Sequence, residues 1–297
     1  MNRRDMIAGG FALVCASAVR GAPAPGARAF SPAITRYEAE SGGHVGVFAR
    51  NVRTGAQLAW RADQRFVMCS TFKASLAALV LHRAQQGRDS LDDRIALRAA
   101  DIPDWHAPVA RANAARGFMT VRDMAAAIVV HSDNTCANLL LERVGGPKAL
   151  TAFWRSLGDR TSRLDAYETE LNWTAPGGVE STTSPRAMAD TMQKLVLGDA
   201  LAGSSRAMLK RWLIDCQTGA NRLRAGLPRE WVTGDKTGNN GKDAAGDLAV
   251  SWVSPDQPLV LVVYTRGGTP TPAQLDALFK GIGRDAANRL AALTTRA

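Results

Sequence analysis

Short apolar runs broken by turn residues lie at both ends of the chain, and helix-length patterns with capping residues fill the middle. Val45-Gly46-Val47-Phe48-Ala49 and Ala56-Gln57-Leu58-Ala59-Trp60 read as strands joined by Asn51-Val52-Arg53-Thr54-Gly55 in a hairpin. Before them, Ser31 to Glu40 reads as a helix, capped by Ser31 and carrying Pro32 at its first position. Helices are then predicted over residues 70–86, 120–131, 135–144, 146–157, 185–197 and 204–216. The second is opened by Thr120-Val121-Arg122-Asp123, a capping-box pattern. Strands return at 231–233, 247–253 and 259–264, and a last helix covers about 272–293.

Strands at both ends with helices between them predict an α+β fold. The hairpin and the three late strands make one antiparallel five-stranded sheet flanked by the terminal helices. Residues 29–64 and 218–297 form this discontinuous domain, and residues 65–217 form an inserted all-helical domain. A site is expected at the seam, because ligand clefts favour such interfaces.

Composition narrows the classes. The 297 residues are 46% hydrophobic, enough for a sizeable core, and 22% charged, which excludes a compositionally disordered chain. Residues 1–24 read as an export signal: Arg3-Arg4 form a basic region, Met6 to Val19 an apolar one, and cleavage is expected between 18 and 24. The paired arginines point to the twin-arginine route or the general one, and to a periplasmic protein. Nothing after this segment has the length of a membrane span. The net charge is +10, and cleavage after Ala18 removes two arginines and one aspartate to leave +9. The basic residues are scattered and no nucleic-acid-binding signature accompanies them, so no nucleic-acid partner is implied and a monomer is expected. Cleavage also removes Cys15 and leaves Cys69, Cys136 and Cys216, an odd number, read as buried free thiols. The four histidines show no ligand spacing, so neither a metal nor another cofactor is implied.

The candidate chemistry lies in three short motifs. Ser70 and Lys73 share a helix face one turn apart, pairing a nucleophile with a base that burial among cations would favour in its neutral form. In Ser132-Asp133-Asn134, Ser132 suits proton relay to a leaving nitrogen, Asn134 suits a hydrogen bond to a substrate amide, and Asp133 suits a turn buttress. In Lys236-Thr237-Gly238, following a strand, the lysine and threonine suit an anionic substrate group, and the glycine admits a close ligand. Singly, each motif reads equally well as a surface lysine, a helix cap or a strand end. In this order they form a signature shared by class A β-lactamases and penicillin-binding proteins.

By these motifs the chain resembles the class A serine β-lactamases, over essentially all of its length from Ser31 onward. Arg163-Leu164-Asp165 followed by Glu168-Thr169-Glu170-Leu171-Asn172 resembles the Ω-loop that these enzymes use for deacylation. The resemblance implies hydrolysis of penicillins and cephalosporins through a Ser70 acyl-enzyme. Glu168 would then activate water, Asn172 would position that water, and the Ser70 and Asn239 N–H groups would form an oxyanion hole. It also implies that Arg222 supports the substrate carboxylate and that His106 takes the place of an aromatic gate beside the cleft. A D-alanyl-D-alanine peptidase or a non-hydrolysing β-lactam-binding protein shares the acylation half.

The chain departs from the family pattern in the Ω-loop. Ala166 and Ser181 stand where an arginine–aspartate pair is usual, and Thr169 follows the glutamate where proline, often in cis, is usual. A looser loop with room for bulky cephalosporins is expected. Asn240 replaces the second cysteine of carbapenem-hydrolysing relatives, so Cys69 has no such partner and carbapenem hydrolysis is not implied.

Overall fold

The computed structural model describes residues 30–102 and 105–291. The expected export signal, 1–24, lies outside the described residues. Helix α1 (Pro32–Ser41) precedes strands β1 (His44–Asn51), β2 (Gln57–Trp60) and β3 (Phe66–Val67). Next come α2 (Phe72–Gln85), β4 (Arg94–Ala96), α3 (Pro108–Ala112), β5 (Phe118–Thr120), α4 (Val121–Val130), α5 (Asn134–Val144) and α6 (Pro147–Ser156). The chain ends with β6 (Thr182–Thr183), α7 (Pro185–Val196), α8 (Gly203–Ile214), α9 (Leu223–Gly226), β7 (Val232–Asn239), β8 (Ala245–Ser254), β9 (Gln257–Arg266) and α10 (Pro272–Ala291).

The main sheet is antiparallel with five strands in the order β2-β1-β9-β8-β7. The α+β expectation holds. Helices α1 and α10 cover one face over a core of Ile34, Val47, Val263, Phe279 and Ile282. The other face packs against the helical layer, whose centre is α2. From Phe72 to Leu81 that helix is buried on every side, as expected for a helix that is apolar apart from Lys73 and Ser75.

Local signals explain most boundaries. The Ser31 hydroxyl caps α1, and Gly42 ends it in the left-handed region at φ 68°. Thr120 Oγ1 accepts the Asp123 N–H at the start of α4. Two predicted boundaries need correction. Strand β7 does not end at Thr233 but pairs with β8 from Val232 to Asn239, so Lys236-Thr237-Gly238 lies within a strand. Its charged residues hid that strand from a reading based on apolar runs. The helix predicted from Ser70 begins as a 3-10 turn, Cys69–Thr71, and becomes α-helical at Phe72.

The Ω-loop is tied at its neck by a device other than the absent ion pair. Ser181 N–H donates to Asp165 Oδ2 at 2.7 Å, and Asp165 N–H donates to Ser181 Oγ at 3.1 Å. Arg163 in turn holds Asp165. The Glu168–Thr169 peptide is cis.

Candidate active site

Four separate segments converge on a cleft of about 560 Å³ between the helical layer and the edge of the sheet. Ser70 enters from the turn before α2, Ser132 and Asn134 from the α4–α5 connection, Glu168 and Asn172 from the Ω-loop, and Thr237, Gly238 and Asn239 from β7. Arg222 and His106 also line it.

Each helical segment reaches the cleft through an unusual backbone. Cys69 and Ser132 adopt left-handed φ values of 46° and 61°, conformations that cost on the order of 1–3 kcal/mol in non-glycine residues. Asp133 stabilises the second turn. Its Oδ1 accepts the Cys136 N–H at 2.9 Å, capping α5, and its Oδ2 accepts the N–H groups of Val109 and Ala110 at 2.9 and 3.0 Å, at the start of α3. The buttressing role expected of Asp133 is thus a double helix cap.

Ser70 Oγ donates to Glu168 Oε1 at 2.9 Å and accepts from Lys73 Nζ at 2.9 Å. Lys73, fully buried, also donates to the Ser132 carbonyl at 2.9 Å and to Asn134 Oδ1 at 2.5 Å, and pairs with Glu168 Oε1 at 2.8 Å. These acceptors surround Lys73, and the buried Lys236 is near enough for the two charges to interact. Burial alone would raise the Glu168 carboxyl. The Lys73 charge and hydrogen bonds from Lys73, Asn172 and Ser70 outweigh it and hold Glu168 below its ordinary value.

The Ω-loop is clamped to α5 at this point. Asn138 Nδ2 donates to the Glu168 carbonyl and Asn138 Oδ1 accepts the Glu168 N–H, both at 2.9 Å. Sequence reasoning missed Asn138. Its signal was helical spacing, four residues beyond Asn134 on the same face. Asn172 Nδ2 reaches Glu168 Oε2 at 2.7 Å, while Asn172 Oδ1 is buried with no donor among the described residues.

The opposite wall is cationic. Lys236, fully buried, donates to Ser132 Oγ at 3.0 Å, and burial brings its pKa down to about 8. Thr237 Oγ1 lies 2.6 Å from the hydroxyl of Thr218, a further lining residue not anticipated from the sequence. Arg222 stacks over the Phe279 ring at 4.8 Å, and its Nη1 is buried without an acceptor among the described residues. Gly238 lies against the nucleophile turn itself. A Cβ there would stand 2.7 Å from Ser70 N and 3.0 Å from the Met68 carbonyl oxygen. His106 is exposed at the rim, with Nε2 at 2.8 Å from the His131 carbonyl oxygen. No group of residues suited to a metal occurs among the described residues.

A serine held between a lysine and a carboxylate, facing a cationic wall, defines a serine acyl-transfer hydrolase. Comparison with known proteins gives the family. The profile of the β-lactamase enzyme family matches residues 29–290. β-Lactamase L2 of Stenotrophomonas maltophilia is 47% identical, over 82% of this chain and 80% of its own length. The carbapenem-hydrolysing β-lactamase KPC of Klebsiella oxytoca is 43% identical over 84% of this chain and 85% of its own length. The structure of an ancestral class A β-lactamase superposes with a TM-score of 0.83 at 46% identity, covering 88% of this chain and 99% of that one. The chain therefore belongs to the β-lactamase enzyme family, as a class A serine hydrolase of β-lactams.

Proposed function

We propose that Ser70 is the acylated nucleophile and that Glu168 serves as base in both halves of the reaction. The observation that supports this is the direct Ser70 Oγ–Glu168 Oε1 hydrogen bond, with Asn172 on the other carboxylate oxygen. Ser70 Oγ attacks the lactam carbonyl carbon and its proton passes to Glu168. The oxyanion is met by the N–H groups of Ser70 and Asn239. The C–N bond breaks and the proton held by Glu168 passes on, by way of Lys73 and Ser132 Oγ, to the nitrogen, which leaves Glu168 ionised for the second half; Lys236 contacts Ser132 Oγ. Water then attacks the ester, giving one proton to Glu168 while Asn172 Oδ1 accepts its second hydrogen bond, and Ser70 recovers its proton. Lys73 balances the Glu168 charge and orients Ser70. Asn134 holds the substrate amide, and Lys236, Thr237 and Arg222 hold its carboxylate. Gly238 lets β7 lie against Ser70, and His106 borders the entrance.

The test is turnover of a chromogenic cephalosporin with intact mass recorded. Steady turnover is expected from the natural enzyme. Glu168→Gln should acylate more slowly and deacylate more slowly still, so that a covalent adduct accumulates with turnover lower by about 10²–10⁴. A stable adduct on the natural enzyme would instead indicate a non-hydrolysing β-lactam-binding protein or a peptidase.

We further propose a periplasmic protein exported through the signal at residues 1–24, by the twin-arginine route or the general one. No helix among the described residues is long and apolar enough to cross a membrane. Intact mass of protein from a periplasmic extract would give the cleavage point, and retention of the precursor in a host lacking twin-arginine export would identify the route.

A further inference from the structure

A second cleft, of about 700 Å³, lies behind the Ω-loop. The segment Trp173–Gly178 walls one side, and β3, the end of β9 and the β7–β8 turn wall the other. Four basic residues line it: His44, Arg65, Lys242 and Arg266. Asp243 is the only acidic residue among its described lining, and Asp243 Oδ1 already accepts from Asn240 Nδ2 at 3.0 Å.

The two arginines are bound differently from their neighbours. Arg61 pairs with Glu38, Arg163 with Asp165 and Arg186 with Asp63. Among the described residues, Arg65 and Arg266 make no ion pair. Arg65 Nη1 donates to the Thr161 carbonyl at 2.8 Å and to Thr182 Oγ1 at 3.0 Å. Arg266 Nη1 donates to the Arg65 carbonyl at 3.1 Å, and its Nη2 is 3.5 Å from Gln64 Oε1. A guanidinium carries five N–H donors in a planar fork, so both keep donors in reserve. Lys242 lies 5.9 Å above the Trp173 ring, with no carboxylate partner among the described residues.

Cations outside the cleft act on both arginines. Burial, then the charges of Arg163 and Arg155, lower the Arg65 pKa, and burial, then Arg61, lowers that of Arg266. Three cations, Arg65, Lys242 and Arg266, against the single lining carboxylate of Asp243, with Asp159 acting on Arg65 from outside the cleft, favour a counter-anion, and guanidinium forks suit phosphate-type oxygens.

We propose that the cleft behind the Ω-loop binds a small anion bearing two or more phosphate-type groups, held by Arg65 and Arg266 from the sheet side and by Lys242 from the β7–β8 turn. The groups can be free in solution or borne by a lipid headgroup, and the test separates these sources.

Inorganic pyrophosphate is titrated into the intact mature protein at low ionic strength by calorimetry, and flotation with vesicles containing cardiolipin, whose headgroup carries two phosphates, is run beside it. Saturable pyrophosphate binding is expected, weakened about tenfold by Arg266→Gln and again by Arg65→Gln. It should also slow amide exchange over residues 174–178. Arg65→Gln removes contacts to the Ω-loop region and can lower stability; Arg266→Gln, at an exposed position, is the variant that keeps the test valid. Vesicle binding lost in these variants, without pyrophosphate binding, would assign the site to a headgroup. Absence of both kinds of binding overturns the proposal. So does pyrophosphate binding that survives Arg266→Gln but disappears in Lys236→Gln, which would place the anion in the catalytic cleft.

Discussion

Lys73 and Glu168 face each other across 2.8 Å with both side chains fully buried. Removing one member of such a pair strands the other's charge, at a cost of about 3–5 kcal/mol. Lys73→Met should therefore lower stability by roughly that amount at neutral pH. Lys73→Met combined with Glu168→Leu should be more stable than Lys73→Met alone, because no unpaired charge remains. Urea unfolding of the three proteins measures this. A double variant no more stable than the single one would mean that the loss comes from the Ser132 and Asn134 contacts of Lys73.

The pH profile should have limbs set by two groups. Lys236 is protonated below about 8 and neutral above it, so its attraction for an anionic substrate fades as pH rises. With a carboxylate-bearing β-lactam, kcat/KM should fall above that pH. Lys236→Arg keeps its charge and should push the alkaline limb upward. Glu168 must be ionised to act as a base, and its pKa lies below the ordinary carboxylate value. The acid limb should accordingly lie below the usual carboxylate range. An alkaline limb that stays in place in Lys236→Arg would assign it to another group.

Gly238→Ala should separate β7 from the nucleophile. The added methyl would meet Ser70 N at 2.7 Å, Cys69 Cβ at 2.9 Å and the Met68 oxygen at 3.0 Å, mostly backbone that cannot turn aside. Displacing the strand spoils an oxyanion site, a loss of about 10²–10³ in kcat. Unchanged circular dichroism with that loss is the expected result. Full activity would mean that the strand yields without moving the Asn239 N–H.

Asn172→Asp replaces the donor on Glu168 Oε2 with a second carboxylate. Two like charges so close raise the pKa of one of them, so the acid limb of kcat should move up and acyl-enzyme should accumulate. Stopped-flow turnover with mass detection reads both. An unmoved acid limb would remove Asn172 from the set of groups that tune Glu168.

The sequence made the sheet, the helical insertion and the motif residues legible because each has a local signal. Strand-forming runs, caps at Ser31 and Thr120, and Ser70 and Lys73 one turn apart are all written within a few residues. What escaped is non-local. Asn138 clamps Glu168 from 30 positions away, and an asparagine inside a helix does not announce its partner. The Asp165–Ser181 tie is likewise non-local, joining residues 16 positions apart. The surroundings of Lys73 are non-local in the same way, since its four acceptors come from three segments. Thr218 meets Thr237 only after β7 and the preceding loop have folded together.

The three buried cysteines make a built-in set of chemical clocks. Burial pushes all three thiols up, Cys216 to about 11, which suppresses the thiolate that alkylating reagents attack. Cys69 lies where the nucleophile turn meets the sheet, its sulfur 3.9 Å from the Ala244 carbonyl, whereas Cys136 lies inside the helical core beside Met119. Parting of the two layers uncovers the first thiol, and only melting of the helices uncovers the second. A brief pulse of iodoacetamide, read by peptide mass, therefore dates the loss of the cleft separately from the loss of the fold.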